Sequence, residues 1–165
     1  MACGQLENKA FDPNEVVFAT TDASKLFFKN TRAFYYIKEE LPQAKLEIYR
    51  WKDEPENEQH QLKLALVNNW RFDEAYLLIE PSEAIDLNTL KVRWQNQVQS
   101  GEITFTPGNK SEHARFAGLL YQQIKKESQF EILVNNKWQP FLTDAISIKA
   151  FETTVYDFYR LTERL

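Results

Sequence analysis

Gln61-Leu62-Lys63-Leu64-Ala65-Leu66-Val67 (QLKLALV) decides the fold. Leu62, Leu64 and Leu66 recur at every second position, with Lys63, Ala65 and Val67 between them. In an extended chain successive side chains point to opposite faces, so the leucines share one side. The stretch predicts a strand with one buried face. Its neighbours carry the same pattern. Lys45 to Lys52 (KLEIYRWK) alternates apolar and polar residues, and Glu74 to Glu80 (EAYLLIE) runs until Pro81-Ser82. Short connections between such strands predict an antiparallel meander.

Working outward, Glu15 to Thr20 is apolar and β-branched and reads as a strand. Thr21 to Ser24 offers N-cap or turn chemistry. Residues 25–40 (KLFFKNTRAFYYIKEE) are split: aromatic density favours a strand at 25–29, and Lys38-Glu39-Glu40 ahead of Pro42 favours a helix over about 31–40. Leu90 to Gln95, Glu102 to Thr106, Phe130 to Val134 and Trp138 to Leu142 read as further strands, with Ser100-Gly101 as a turn.

Two helices stand out near the C-terminus. Asn109 followed by Glu112 resembles a capping box, and His113, Phe116, Ala117, Leu120, Tyr121 and Ile124 form an apolar stripe. Ile148, Phe151, Val155, Phe158 and Leu161 form a second. The fold class is therefore α+β, mainly an antiparallel β-sheet of about six to eight strands, with two amphipathic helices (about 110–127 and 146–163) packed on one face. Residues 1–14 read as a flexible N-terminal lead-in and 15–165 as a single α+β domain, in keeping with a chain of 165 residues.

One short sequence occurs twice: Leu66-Val67-Asn68-Asn69 and Leu133-Val134-Asn135-Asn136. The order of elements after each copy differs, which argues against duplication. Both copies end strands, and asparagine tolerates the left-handed backbone that tight turns need.

Composition excludes several functions. The net charge is -4 and Lys and Arg are scattered, so no basic surface for nucleic acid is expected. No apolar run is long enough for a membrane-spanning helix. Cys3 is the one cysteine, which forbids an intrachain disulfide and fits the cytoplasm. Met1-Ala2-Cys3-Gly4 also resembles the end of a bacterial lipoprotein signal without its apolar region, the basis of a lipid-anchored alternative.

Catalytic signatures are missing. The two histidines, His60 and His113, lie in no metal-ligand spacing, and the acidic loop at 53–58 lacks calcium-site spacing. The four glycines match no phosphate-binding loop, and no GxSxG motif occurs. No metal and no cofactor is expected. Asp73-Glu74 and Glu39-Glu40 are carboxylate pairs whose acid–base use depends on geometry.

One constellation remains. Three tryptophans adjoin an arginine: Arg50-Trp51, Trp70-Arg71 and Arg93-Trp94. In strands each pair sends its two side chains to opposite faces, so neighbouring strands could gather the arginines. A guanidinium cluster would suit a small anionic ligand or a partner protein. The sequence thus favours a non-catalytic binding or protein-interaction module. The alternatives are a small enzyme using carboxylate and tyrosine groups for acid–base chemistry, and the lipid-anchored envelope protein.

Overall fold

The computed structural model describes residues 12–55 and 60–164. Among these residues eight antiparallel strands form two four-stranded sheets, with three α-helices. The first sheet runs in chain order: β1 (Tyr36–Leu41), β2 (Leu46–Trp51), β3 (Leu62–Asn69) and β4 (Glu74–Pro81). The second contains β5 (Lys91–Gln95), β6 (Ser100–Thr104), β7 (Gln129–Val134) and β8 (Lys137–Phe141), ordered β6-β5-β7-β8. The helices are α1 (Asp22–Thr31), α2 (Lys110–Lys125) and α3 (Ala145–Leu161). Alternation correctly marked the strands as antiparallel, but it carries no information about sheet membership. β5 takes β7 as its second partner, and the expected single sheet is replaced by two.

The register explains the core. Tyr49 lies opposite Leu66, and Leu66 opposite Leu77, so large apolar side chains form a stripe across three strands. Leu62, Leu64 and Leu66 are all buried there. Full burial of such a side chain stabilises by about 1.5–3 kcal/mol. The opposite face of the first sheet holds a smaller cluster of Ile48, Ala65 and Val67. The main cluster joins both sheets to the helices: it holds Leu66 and Leu77 of the first sheet, Val92 and Ile132 of the second, and Phe116, Phe151 and Phe158 of α2 and α3. α3 lies on β3 and β4, while α2 touches β4, β6 and α3.

Local chemistry sets the helix ends. Asn109 accepts the Ser111 N–H and Asp144 accepts the Ser147 N–H, which satisfies free amides at the starts of α2 and α3. The expected capping box at α2 is altered. The Glu112 carboxylate accepts the Thr106 N–H at 2.7 Å instead of returning to Asn109, and it also holds Arg115.

Residues 25–40 reverse the expectation. The first part is helical and the last part is β1. Thr21 and Ser24 form a reciprocal capping box that starts α1. Only Phe28 among its large apolar residues is buried; Leu26 is 60% and Phe27 40% exposed, so the helix lacks an apolar stripe. β1 is an edge strand with Tyr36 alone buried, so its alternation is invisible in the sequence. Pro42 ends a strand, not a helix. The strand expected at Glu15 to Thr20 is reduced to one bridge, Ala19 to Glu74. Residues 1–11 of the expected lead-in (1–14), Cys3 among them, and residues 56–58 of the acidic loop lie outside the described residues.

The repeated LVNN has two fates. Asn135 and Asn136 both take positive φ (49° and 60°) in the two-residue turn between β7 and β8. That is the backbone a tight hairpin demands. Asn68 and Asn69 instead stay in β3, opposite Ala75 and Glu74, and Asp73 supplies the positive φ. Buried Asn68 donates to Glu47.

Candidate functional site

The strands of the second sheet share one end, where β5 stops at Gln95, β6 starts at Ser100, β7 starts at Gln129 and β8 stops at Phe141. A groove of about 780 Å³ lies at this end. It draws on both sheet faces. Arg93, Glu102 and Glu131 are in register on one, and Trp94, Phe130 and Phe141 on the other. Leu142 and Ile148 extend its apolar wall to the start of α3.

Two arrangements give the groove its chemistry. Arg93 Nε donates to Glu131 at 2.9 Å, and the guanidinium sits 4.4 Å from the centre of the Trp138 ring. Lys91 lies 3.9 Å from Glu102, so two cations balance two carboxylates along this face. Trp94 lies opposite Gly101. A Cβ at Gly101 would fall 2.8 Å from the indole Cζ2, so the ring rests on glycine backbone. Such a ring compensates for a glycine that packs nothing itself. Asn96 donates to Ser128, which donates to Gln123 of α2, fixing one rim of the groove.

The expected arginine cluster does not form. Arg50 belongs to the first sheet, where Glu80 takes its Nε and Nη2 and Glu39 takes Nη1. Trp51 points to the core side and stacks on Tyr35 with ring centres 5.8 Å apart. Trp70 and Arg71 lie in the turn after β3, not in a strand, and Arg71 covers Phe72 at 5.3 Å. Arg50 faces Ala65, so Arg71 lies beyond it by at least four strand residues, about 13 Å by strand rise. Arg93 and Trp94 alone reach the groove. Sequence reasoning missed Gly101, Glu102 and Glu131, because strand register brings them together. Gly101, expected in a turn, lies in β6.

Other titratable groups are structural or isolated. Asp157 on α3 is 1% exposed and accepts hydrogen bonds from Tyr36 Oη at 2.6 Å and Arg32 Nε at 2.9 Å. Burial and the charge of Asp157 push the Tyr36 phenol far above its ordinary range. Burial pushes the Glu54 carboxyl up to about 7, with Lys63 opposing and Asp144 and Glu80 adding to the rise. A smaller cavity of about 280 Å³ lies among Lys29, Lys38, Glu47 and Tyr49. Burial opposes the charge of Glu47, but hydrogen bonds from Asn68 and Tyr49 and the nearby Lys29 hold its carboxyl below the usual range.

Among the described residues no group of three or more His, Cys, Asp or Glu could hold a metal ion. No helix among them is long and apolar enough to cross a membrane. No protein-family model, curated protein or solved structure matches the chain.

Proposed function

We propose that residues 15–165 form a single non-catalytic binding domain of the cytoplasm, with its ligand seated in the groove at the end of the second sheet. The observation that carries this is the joining of an aromatic shelf to a balanced ionic pair in one recess. Trp94 on Gly101, with Ile148, offers apolar surface backed by buried Phe141 and Leu142; Arg93 and Glu131 offer directional donors and acceptors. Binding sites commonly combine a mainly apolar concavity with a few placed polar groups. Arg93 gives one edge of its guanidinium to Glu131, which leaves donors for a carboxylate or a backbone carbonyl.

Fragment screening by two-dimensional NMR tests this on the isotopically labelled chain. The amides of Gly101, Gln129 and Phe141 and the Trp94 indole N–H are expected to shift together, and Trp94→Ala to remove the response. Fragments that leave these resonances still and gather elsewhere overturn the proposal.

One observation favours a catalytic alternative. The register places Glu102 and Glu131 on either side of Arg93, two carboxylates beside a groove. Acid–base catalysis needs such convergence. Turnover of an ester or glycoside panel that disappears in both Glu102→Gln and Glu131→Gln would replace the binding proposal.

A further inference from the structure

Among the described residues the sheets have four outer strands, and three of them are covered or disfavour the addition of another chain. On β4, the Ala75 N–H donates to Phe18 at 2.8 Å and the Ile79 N–H to His113 at 3.0 Å. On β8, the tight hairpin pairs Val134 with Lys137, which turns Trp138 and Pro140 outward, and proline has no N–H. On β1, Lys38-Glu39-Glu40 puts three consecutive charges on the edge.

β6 differs. The Phe105 N–H donates to Leu90 at 3.0 Å, so Ile103 and Gly101 also bond toward β5, and Ser100, Glu102 and Thr104 turn their backbone groups outward. Arg115 occupies the Thr104 carbonyl at 2.8 Å. Among the described residues nothing bonds the backbone of Ser100 or Glu102 on that side. The same two residues line the groove.

A second copy of this chain fits the edge poorly. Antiparallel self-pairing centred on Glu102 sets Glu102 against Glu102, which like charges oppose. The neighbouring register pairs Ser100 with Glu102 and leaves little else. The Lys91 ammonium stands 3.9 Å from Glu102 and leaves its carboxylate half exposed, so a basic side chain set opposite it meets attraction, and the net charge of -4 favours a basic partner as well.

We propose that β6 is a docking edge for an extended peptide segment of a partner protein, one that sets a lysine or arginine opposite Glu102. This rests on the groove being the binding site and names its ligand class. Backbone hydrogen bonds to Ser100 and Glu102 would supply the alignment, and alternate side chains would reach the groove.

The test uses the labelled full chain and two probes: a capped hexapeptide alternating valine and lysine, and its counterpart with glutamate for lysine. The lysine peptide is expected to shift the Ser100, Glu102 and Thr104 amides and to slow exchange of the Glu102 amide about tenfold. It should bind about tenfold more tightly than the glutamate peptide, with Glu102→Lys reversing the order. Shifts of Gly101 and the Trp94 indole without slower Glu102 exchange overturn the edge and leave the groove proposal standing. Absence of any shift overturns the edge, and the fragment screen then decides the groove by itself.

Discussion

Nδ1 of His113 accepts the backbone N–H of Ile79 at 3.0 Å. A side chain on α2 thereby stands in for the strand that β4 lacks at its outer edge. The bond needs a neutral imidazole, since a protonated Nδ1 can only donate. Burial lowers the His113 pKa from its ordinary 6.5, with Glu112 opposing. A depressed histidine makes the unfolded chain bind protons first as the pH falls. Its stabilising effect is therefore whole above about pH 6.5 and is lost as the pH drops through the folded value. His113→Ala is expected to cost about 1–2 kcal/mol at about pH 8. Urea unfolding should show the gap narrowing at about pH 5; an equal gap at both values would exclude the proposed protonation.

The buried carboxylate of Asp157 ties α3 to the start of β1. It serves Tyr36 and Arg32 at once. Asp157→Ala takes the carboxylate acceptor from the buried Tyr36 hydroxyl, leaving the Thr154 hydroxyl as its neighbour, and removes the Arg32 counter-charge, an expected loss of about 2–4 kcal/mol. Tyr36→Phe alone should cost about 1–3 kcal/mol. The two changes share one bond, so the double variant should lose less than the sum, by about 0.5–3 kcal/mol. Strict additivity in thermal or urea unfolding would show that the bond contributes nothing.

These two contacts show what the residue pattern could and could not reveal. Strands β2 to β4 were legible because apolar side chains recur at every second position, although β3 buries both faces, with Ala65 and Val67 in the smaller cluster, and α2 and α3 because each has an apolar stripe. α1 and β1 were not, because each buries one large apolar residue, Phe28 and Tyr36. Their identity comes from tertiary contact: Phe28 packs edge-on against Tyr49 at 5.0 Å and beside Tyr36 at 5.7 Å. The groove was half legible. Arg93 and Trp94 were singled out by being adjacent, whereas Glu131 reaches Arg93 only after β7 has been placed beside β5, with α2 between them in the chain.

Glu54 should titrate close to neutrality. Burial raises its pKa from 4.5 to about 7, Lys63 opposes, and Asp144 and Glu80 add to the rise. A raised carboxyl stabilises fully below the unfolded value of 4.5 and is lost as the pH rises through about 7. Glu54→Gln removes that loss. After allowance for partial solvent screening, the variant should gain on the order of 1–2 kcal/mol relative to the parent at about pH 8, and nothing at about pH 4. A pH-independent difference would place the carboxyl in solvent.

Gly101 and Trp94 make a direct test of the groove's architecture. Gly101 does not have positive φ, so alanine meets no backbone penalty there. Its Cβ does meet the indole, at 2.8 Å from Cζ2 and 2.9 Å from Cε2. Both are ring atoms, held by the Trp94 backbone in β5, so the ring must turn away. Gly101→Ala is expected to cost about 1–3 kcal/mol by overpacking. In a Trp94→Ala background the same change should cost less than about 0.5 kcal/mol, because the obstructing ring is gone. The Trp94 indole N–H resonance should move in Gly101→Ala and report the displaced ring. An equal cost in both backgrounds would mean that the indole does not lie on Gly101, and the aromatic shelf of the groove would have to be redrawn.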